Sequence, residues 1–169
     1  MISTHQITPC LWFDSRIEEA VTFYVSVFGG KILHTAYYPE GAPMPKGTVM
    51  TITFMLQDEE FIALNGGPHF KFTEAVSFMV KCKDQAEVDK YWNALTADGG
   101  EESQCGWLKD KYGLSWQITP SVLLACITDK DPEKARRTMQ AMMQMKKIDI
   151  AAVKKAHAGY ADFVTSRRN

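Results

Sequence analysis

Four side chains stand out as able to hold a small molecule: Asn65, Ser77, Trp107 and Gln117. Amides and hydroxyls offer neutral donors and acceptors, and an indole offers a flat stacking wall. Alternation along their strands puts Asn65, Ser77 and Gln117 on the side expected to line a cavity, a combination suited to an uncharged or weakly polar ligand. The same three groups could instead satisfy one another or a buried water, and Trp107 could be plain core. Cys105, beside Gly106-Trp107, is either a structural thiol or a nucleophile. The second role needs an electropositive or His-paired setting. Lys109 and Lys111 are near it in sequence, but no His is. Asp110 either caps a turn or forms an acid–amide pair with Gln117. His5, His34, His69 and His157 are scattered without a metal-ligand spacing.

The stretch Cys105 to Pro120 carries Cys105, Trp107, Asp110 and Gln117. It reads as two short strands joined by a tight turn, with Gly113 supplying a positive φ. After the turn Leu114, Trp116 and Ile118 alternate with Ser115, Gln117 and Thr119. That period of two predicts a half-buried strand, and Pro120 ends its ladder because it has no N–H.

The rest of the chain explains what would stand behind that strand. Ile7 to Phe13 reads as a strand, with Pro9 favouring an edge or a distorted start. Ser15 and Glu18 make a capping box. Ile17, Val21, Tyr24 and Phe28 then give one helical face, closed by Gly29-Gly30. Strands are expected over 31–38, 48–56 and 61–65, with a Pro/Gly-rich loop at 39–47. A strand at 75–83 follows, then a helix capped by Asp84 with Glu87 at N3, burying Val88, Trp92 and Leu95 and closed by Gly99-Gly100. The Asp cap and the Gly-Gly stop recur 70 residues on. This is an internal duplication of a β-α-β-β-β unit. Two such units, each with a helix behind a curved sheet, would leave their other faces lining a shared cavity. The expected fold is α+β: modules at 1–68 and 75–120, paired over 1–120, with a helical extension at 129–159. In that extension Asp131-Pro132 opens one helix with Ala135, Met139, Met142 and Met143 at helical spacing. Asp149 caps a second that ends at Gly159, and residues 160–169 are expected to fray.

At 169 residues, 46% hydrophobic and 23% charged, the composition is that of a soluble globular protein. No run approaches the ~20 apolar residues of a membrane span, and the N-terminus lacks the pattern of a secretory signal. Cys10, Cys82, Cys105 and Cys126 contain no C-x-x-C, so buried reduced thiols in a cytoplasmic protein are expected. Residues 1–128 carry 9 Lys/Arg against 15 Asp/Glu, and 129–169 carry 10 against 5. The tail's charges are interleaved, as on a solvated helix, so neither nucleic acid nor membrane is expected as a partner. The acidic body could dock this basic tail.

The chain resembles the vicinal oxygen chelate superfamily of glyoxalase I, bleomycin-resistance proteins and extradiol dioxygenases. It is most similar to the PhnB-like branch that carries the label 3-demethylubiquinone-9 3-methyltransferase. The segments that carry the likeness are 8–14, 19–24, 77–82, 105–110, 113–118 and 139–149. The resemblance implies a glyoxalase/bleomycin-resistance-like fold and a homodimer. In metal-using relatives four strands each give one His or Glu. The matching positions here are Pro9, Ala63, Ser77 and Gln117, none of them a good ligand. No cofactor is therefore expected, and the S-adenosylmethionine that the label implies lacks a glycine-rich loop opening a helix after a strand. The leading expectation is metal-independent small-molecule binding. The alternatives are an enzyme, either a metal-dependent lyase or dioxygenase or a methyltransferase, and an interaction protein with a filled core.

Overall fold

The computed structural model describes residues 6–159. They fall into two compact units, the first ending at Thr73 and the second beginning at Glu74.

The first unit runs β1 (Cys10–Phe13), α1 (Ile17–Phe28), β2 (Gly30–Tyr37), β3 (Val49–Leu56) and β4 (Glu59–Asn65). Its sheet has the order β1-β4-β3-β2, with β1 parallel to β4 and the other neighbours antiparallel. Pro9 precedes an edge strand, where a missing N–H is harmless, and its carbonyl accepts a hydrogen bond from Ile62 N at 2.9 Å. α1 packs its fully buried Ala20, Val21 and Tyr24 against the sheet face that carries Ile52, Phe54 and Ala63.

The second unit repeats this plan: β5 (Ser77–Cys82), α2 (Gln85–Thr96), a 3-10 turn at Ala97–Gly99, then β6 (Glu101–Glu102), β7 (Trp107–Lys109) and β8 (Ser115–Pro120). Its sheet order is β5-β8-β7-β6, the same as in the first unit, again with one parallel pair between the first and last strands. Both units therefore have the βαβββ topology of the glyoxalase/bleomycin-resistance-like fold. Val88, Trp92 and Leu95 of α2 are buried as their spacing predicts.

The helix entries differ from the expected symmetry. Asp84 Oδ1 accepts from Glu87 N at 2.9 Å, and Glu87 Oε2 accepts from Lys83 N at 3.0 Å. Such reciprocal capping contributes about 1 kcal/mol. The box expected from Ser15 and Glu18 does not form. Ser15 Oγ donates to Asp14 Oδ1 instead, and α1 starts after Arg16, which takes a left-handed φ of 55° and caps with no side chain. The first strand-to-helix turn is thus longer, and α1 and α2 begin 68 residues apart rather than 70.

β8 is also more enclosed than alternation predicts. It runs inside the sheet between β5 and β7, so its polar-side residues Ser115 and Thr119 are buried as well as Leu114, Trp116 and Ile118.

Pro120 leads directly into a helix not anticipated from the sequence, α3 (Ser121–Ile127), and α4 (Pro132–Met142) and α5 (Ile150–Ala158) follow. Asp131 caps α4 through Glu133 N and Lys134 N, and Asp149 caps α5 through Ala152 N. Leu123, Cys126, Ile148 and Val153 form their shared core, with Met142 and Met145 packed on it. The methionine stripe is only partly buried: Met139 and Met143 face outward, and Thr138 is the fully buried residue of α4. The frayed end expected at 160–169 lies outside the described residues. Among the described residues no helix is long and apolar enough to cross a membrane.

The basic extension docks on its own unit. Cys105 N donates to Met145 O and Gly106 N to Lys146 O, both at 2.7 Å. A Cβ at Gly106 would stand 2.8 Å from the Ile118 carbonyl, and its φ of +85° adds strain for any other residue. Lys147 pairs with Asp89 at 2.7 Å and holds that carboxyl below its usual range, helped by Gln85. Gln85 also ties α2 to α5: its Nε2 donates to Ile148 O and its Oε1 accepts from Ile150 N. Gln85→Ala should therefore cost about 1–2 kcal/mol in urea unfolding and speed amide exchange at Ile150. Unchanged stability and exchange would show that these bonds do not hold the extension.

Candidate functional site

Asp110 organises the hairpin that carries the candidate residues. It is 2% exposed. Its Oδ1 accepts from Tyr112 N at 2.9 Å and Leu114 N at 3.1 Å, and its Oδ2 accepts from Trp116 Nε1 at 2.8 Å. Gly113, at φ 84°, closes the turn by donating to the Asp110 carbonyl at 2.8 Å. A carboxylate committed to three N–H donors is a turn bracket, and the acid–amide pair with Gln117 does not form. Gln117 Nε2 donates instead to Ser77 Oγ at 2.8 Å.

Strand register shows what shares a sheet face. Neighbouring register partners point the same way. One row runs Ser77, Ser115, Lys109 and Glu101 across β5, β8, β7 and β6. The next runs Met79, Gln117 and Trp107. The opposite face carries Phe78, Trp116, Leu108 and Ile118, the side on which α2 packs. Ser77 and Gln117 therefore lie together on the face away from the helix, as alternation predicts, and Trp107, which the sequence leaves open between core and cavity wall, shares that face. Asn65 belongs to the first unit and alternates on β4 with the buried Phe61 and Ala63 rather than with Ile62 and Leu64. Its Nδ2 donates to Val49 O at 3.1 Å, and its Oδ1 is buried without a partner. A parity error of one residue is enough to exchange the two faces of a strand.

A cleft of about 140 Å³ opens on the second sheet, lined by Ser115, Trp107, Lys109, Glu74, Glu101 and Glu102 among others. Sequence reading missed the charged part of this lining. Glu101 and Lys109 are cross-strand partners, which only the pairing of the two-residue β6 reveals. Glu74, from the segment before β5, pairs with Lys109. Their mutual hydrogen bond lowers the Glu74 carboxyl and raises the Lys109 ammonium from their ordinary values. Glu102 Oε1 accepts from Trp92 Nε1 at 2.9 Å. Ser115 Oγ is fully buried and has no partner.

Desolvation raises the thiols of Cys10, Cys82 and Cys126, the reverse of what activates a nucleophile. All four cysteines are free. Cys82 and Cys126 are buried, but Cys10 is exposed, contrary to expectation. Burial, then the Glu87 and Asp84 carboxylates, push the Cys82 thiol up to about 12, so it stays protonated at neutral pH. Cys105 takes a φ of 60° and is used through its backbone N–H.

The fold's metal positions do not fit a divalent ion. Ala63 is buried on the helix side and has no donor atom. Pro9 offers only its carbonyl, already bonded to Ile62 N. Ser77 and Gln117 are bonded to each other. Among the described residues no three His, Cys, Asp or Glu side chains converge as ligands. Neither do the residues fit a nucleotide-type cofactor loop: the strand-to-helix turns are Asp14-Ser15-Arg16 and Lys83-Asp84, without glycine.

The bracket can be tested directly. Asp110→Ala removes the carboxylate that three N–H donors share and should cost about 3 kcal/mol or more, with red-shifted tryptophan fluorescence. A loss below about 1 kcal/mol in urea unfolding would show that the turn does not depend on this carboxylate.

Among solved structures, the chain is similar to the PhnB protein from Bacillus cereus, described as a 3-demethylubiquinone-9 3-methyltransferase. The two share 35% identity over 69% of this chain and 100% of the other, with a TM-score of 0.63. Protein PA1353 from Pseudomonas aeruginosa shares the fold at 21% identity, 69% and 98% coverage, and a TM-score of 0.58. The fosfomycin resistance protein FosX from Mesorhizobium loti shares it at 12% identity, 68% and 90% coverage, and a TM-score of 0.50. No curated protein matches the chain. The sequence model of the family described as 3-demethylubiquinone-9 3-methyltransferase matches residues 5–119, which span both sheets nearly to the end of β8. With the duplicated βαβββ topology and the Bacillus cereus likeness, this places the chain in that PhnB-like family of the vicinal oxygen chelate superfamily.

Proposed function

We propose that the protein binds a small molecule without a metal ion, on the open face of the second sheet. The carrying observation is the cleft itself. It joins an aromatic wall at Trp107 to a buried, unpaired hydroxyl at Ser115, beside the neutral Ser77–Gln117 pair. A weakly polar body would stack on Trp107 and exchange hydrogen bonds with Gln117 and Ser77. Asn65 lies on the helix side of its own sheet and is not assigned to this cleft. A homodimer and a cytoplasmic setting belong to the same proposal, the second supported by the free cysteines.

A second reading follows from the family description and from that of the Bacillus cereus relative: transfer of a methyl group. The glycine-free strand-to-helix turns weigh against an S-adenosylmethionine site of the usual kind.

The two readings separate experimentally. Thermal-shift screening in EDTA should find small molecules that raise Tm, with the gain lost in Gln117→Ala and Trp107→Ala. Saturable binding of S-adenosylmethionine by calorimetry would favour the methyltransferase instead. Elemental analysis that returns near-stoichiometric metal after dialysis would overturn the metal-free assignment.

A further inference from the structure

We propose that the cleft on the second sheet selects a ligand through a primary ammonium group, which sits between Glu101, the face of Trp107 and the hydroxyl of Ser115. This deepens the binding reading above and rests on it.

Charge is the first argument. Glu74, Glu101 and Glu102 line the cleft against a single lining ammonium, that of Lys109. Lys109 is engaged by Glu74. Glu102 has one oxygen on the Trp92 indole and the other 3.7 Å from Lys146. Glu101 makes no hydrogen bond or ion pair with a described residue, and its register partner across the strand is Lys109. Lys109 attracts Glu101 through space but gives its hydrogen bond to Glu74, so the cleft holds more carboxylates than ammonium groups and Glu101 is the one with no bonded cation among the described residues.

The second argument is independent of charge. Ser115 Oγ is 0% exposed and has no hydrogen-bond partner. A buried hydroxyl left unmade costs folding free energy that a bound group can return. Ser115 lies in the same row as Lys109 and Ser77, and Ser77 already accepts from Gln117. The free hydroxyl can therefore accept an N–H from a ligand. A quaternary ammonium has no N–H to give, and a carboxylate would meet Glu101. Trp107, half-buried in the same lining, adds the attraction of an aromatic face for a cation. A volume of about 140 Å³ admits a short alkyl or compact cyclic amine rather than a nucleotide.

The test is a titration of full-length protein followed by two-dimensional amide NMR at neutral pH. The probes are n-butylammonium, tetramethylammonium, n-butanol and butyrate. The expected result is saturable shifts at the Trp107 indole and Ser115 amide with n-butylammonium. Affinity should fall about tenfold or more in Glu101→Gln, an exposed substitution that leaves the sheet intact, and again in Ser115→Ala. Tetramethylammonium should bind more weakly and be indifferent to Ser115→Ala. Equal binding of n-butanol, or preference for butyrate, would overturn the ammonium assignment while leaving a binding cleft in place. No shift at Trp107 with any probe, in a protein whose Tm responds to other small molecules, would also overturn it and leave the binding reading standing.

Discussion

The buried carboxylate of Asp110 is the constraint on which the second unit depends. A charged group with 2% exposure survives only if its lone pairs are used, and here two backbone N–H groups and an indole use them. The bonds to Tyr112 and Leu114 set the turn, and the bond to Trp116 sets the register and seats that ring on the helix side. Once Trp116 faces α2, alternation obliges Ser115 and Gln117 to face the other way. The polar platform is thus a geometric consequence of a bond made on the opposite face.

A second set of bonds holds the other end of the same hairpin. The carbonyls of Met145 and Lys146 accept from the backbone of Cys105 and Gly106, just before β7 begins. The positive φ of both residues lets their N–H groups point together at the extension. Gln85, Asp89 and Glu102 then fasten residues 146–150 to α2 and β6. Exposed ion pairs contribute little singly, so the backbone bonds and the Ile148–Val153 core carry most of this docking. The family match ends at residue 119, yet the extension supports the hairpin that frames the cleft.

Duplication set the topology and left the faces free to diverge. In the first unit β2 and β3 are eight residues each, and the face away from α1 carries Met55, Ile62 and Leu64 with Thr51, Thr53, Glu60 and Lys31. In the second, β6 has shrunk to two residues and β7 to three, and the corresponding face carries Ser77, Ser115, Gln117, Lys109 and Glu101. Both copies carry charge on this face, Lys31 and Glu60 in the first and Lys109 and Glu101 in the second, while the side chains between them differ.

The chain's own pattern determined much of this. The helical faces around Val21 and Val88, the Asp84, Asp131 and Asp149 caps, the turn at Gly113 and the repeated module were all legible, because each rests on local spacing or local hydrogen bonding. The face shared by Ser77 and Gln117 was legible too, since period-two alternation survives folding, whereas the place of Trp107 on it was decided by the pairing of β7 with β8. What escaped was set by distant partners or by small shifts of parity. Arg16 took the place expected of Ser15. α3 followed Pro120 without a break. Asn65 turned toward the helix. The charged lining of the cleft was invisible because Glu74 lies 35 residues from Lys109 in sequence, and Glu101 meets it only through the pairing of β6 with β7. Local pattern could state that a hydroxyl stands at Ser115. Only the packed sheet decided that it would be buried without a partner, because burial and pairing belong to neighbours the sequence does not place side by side.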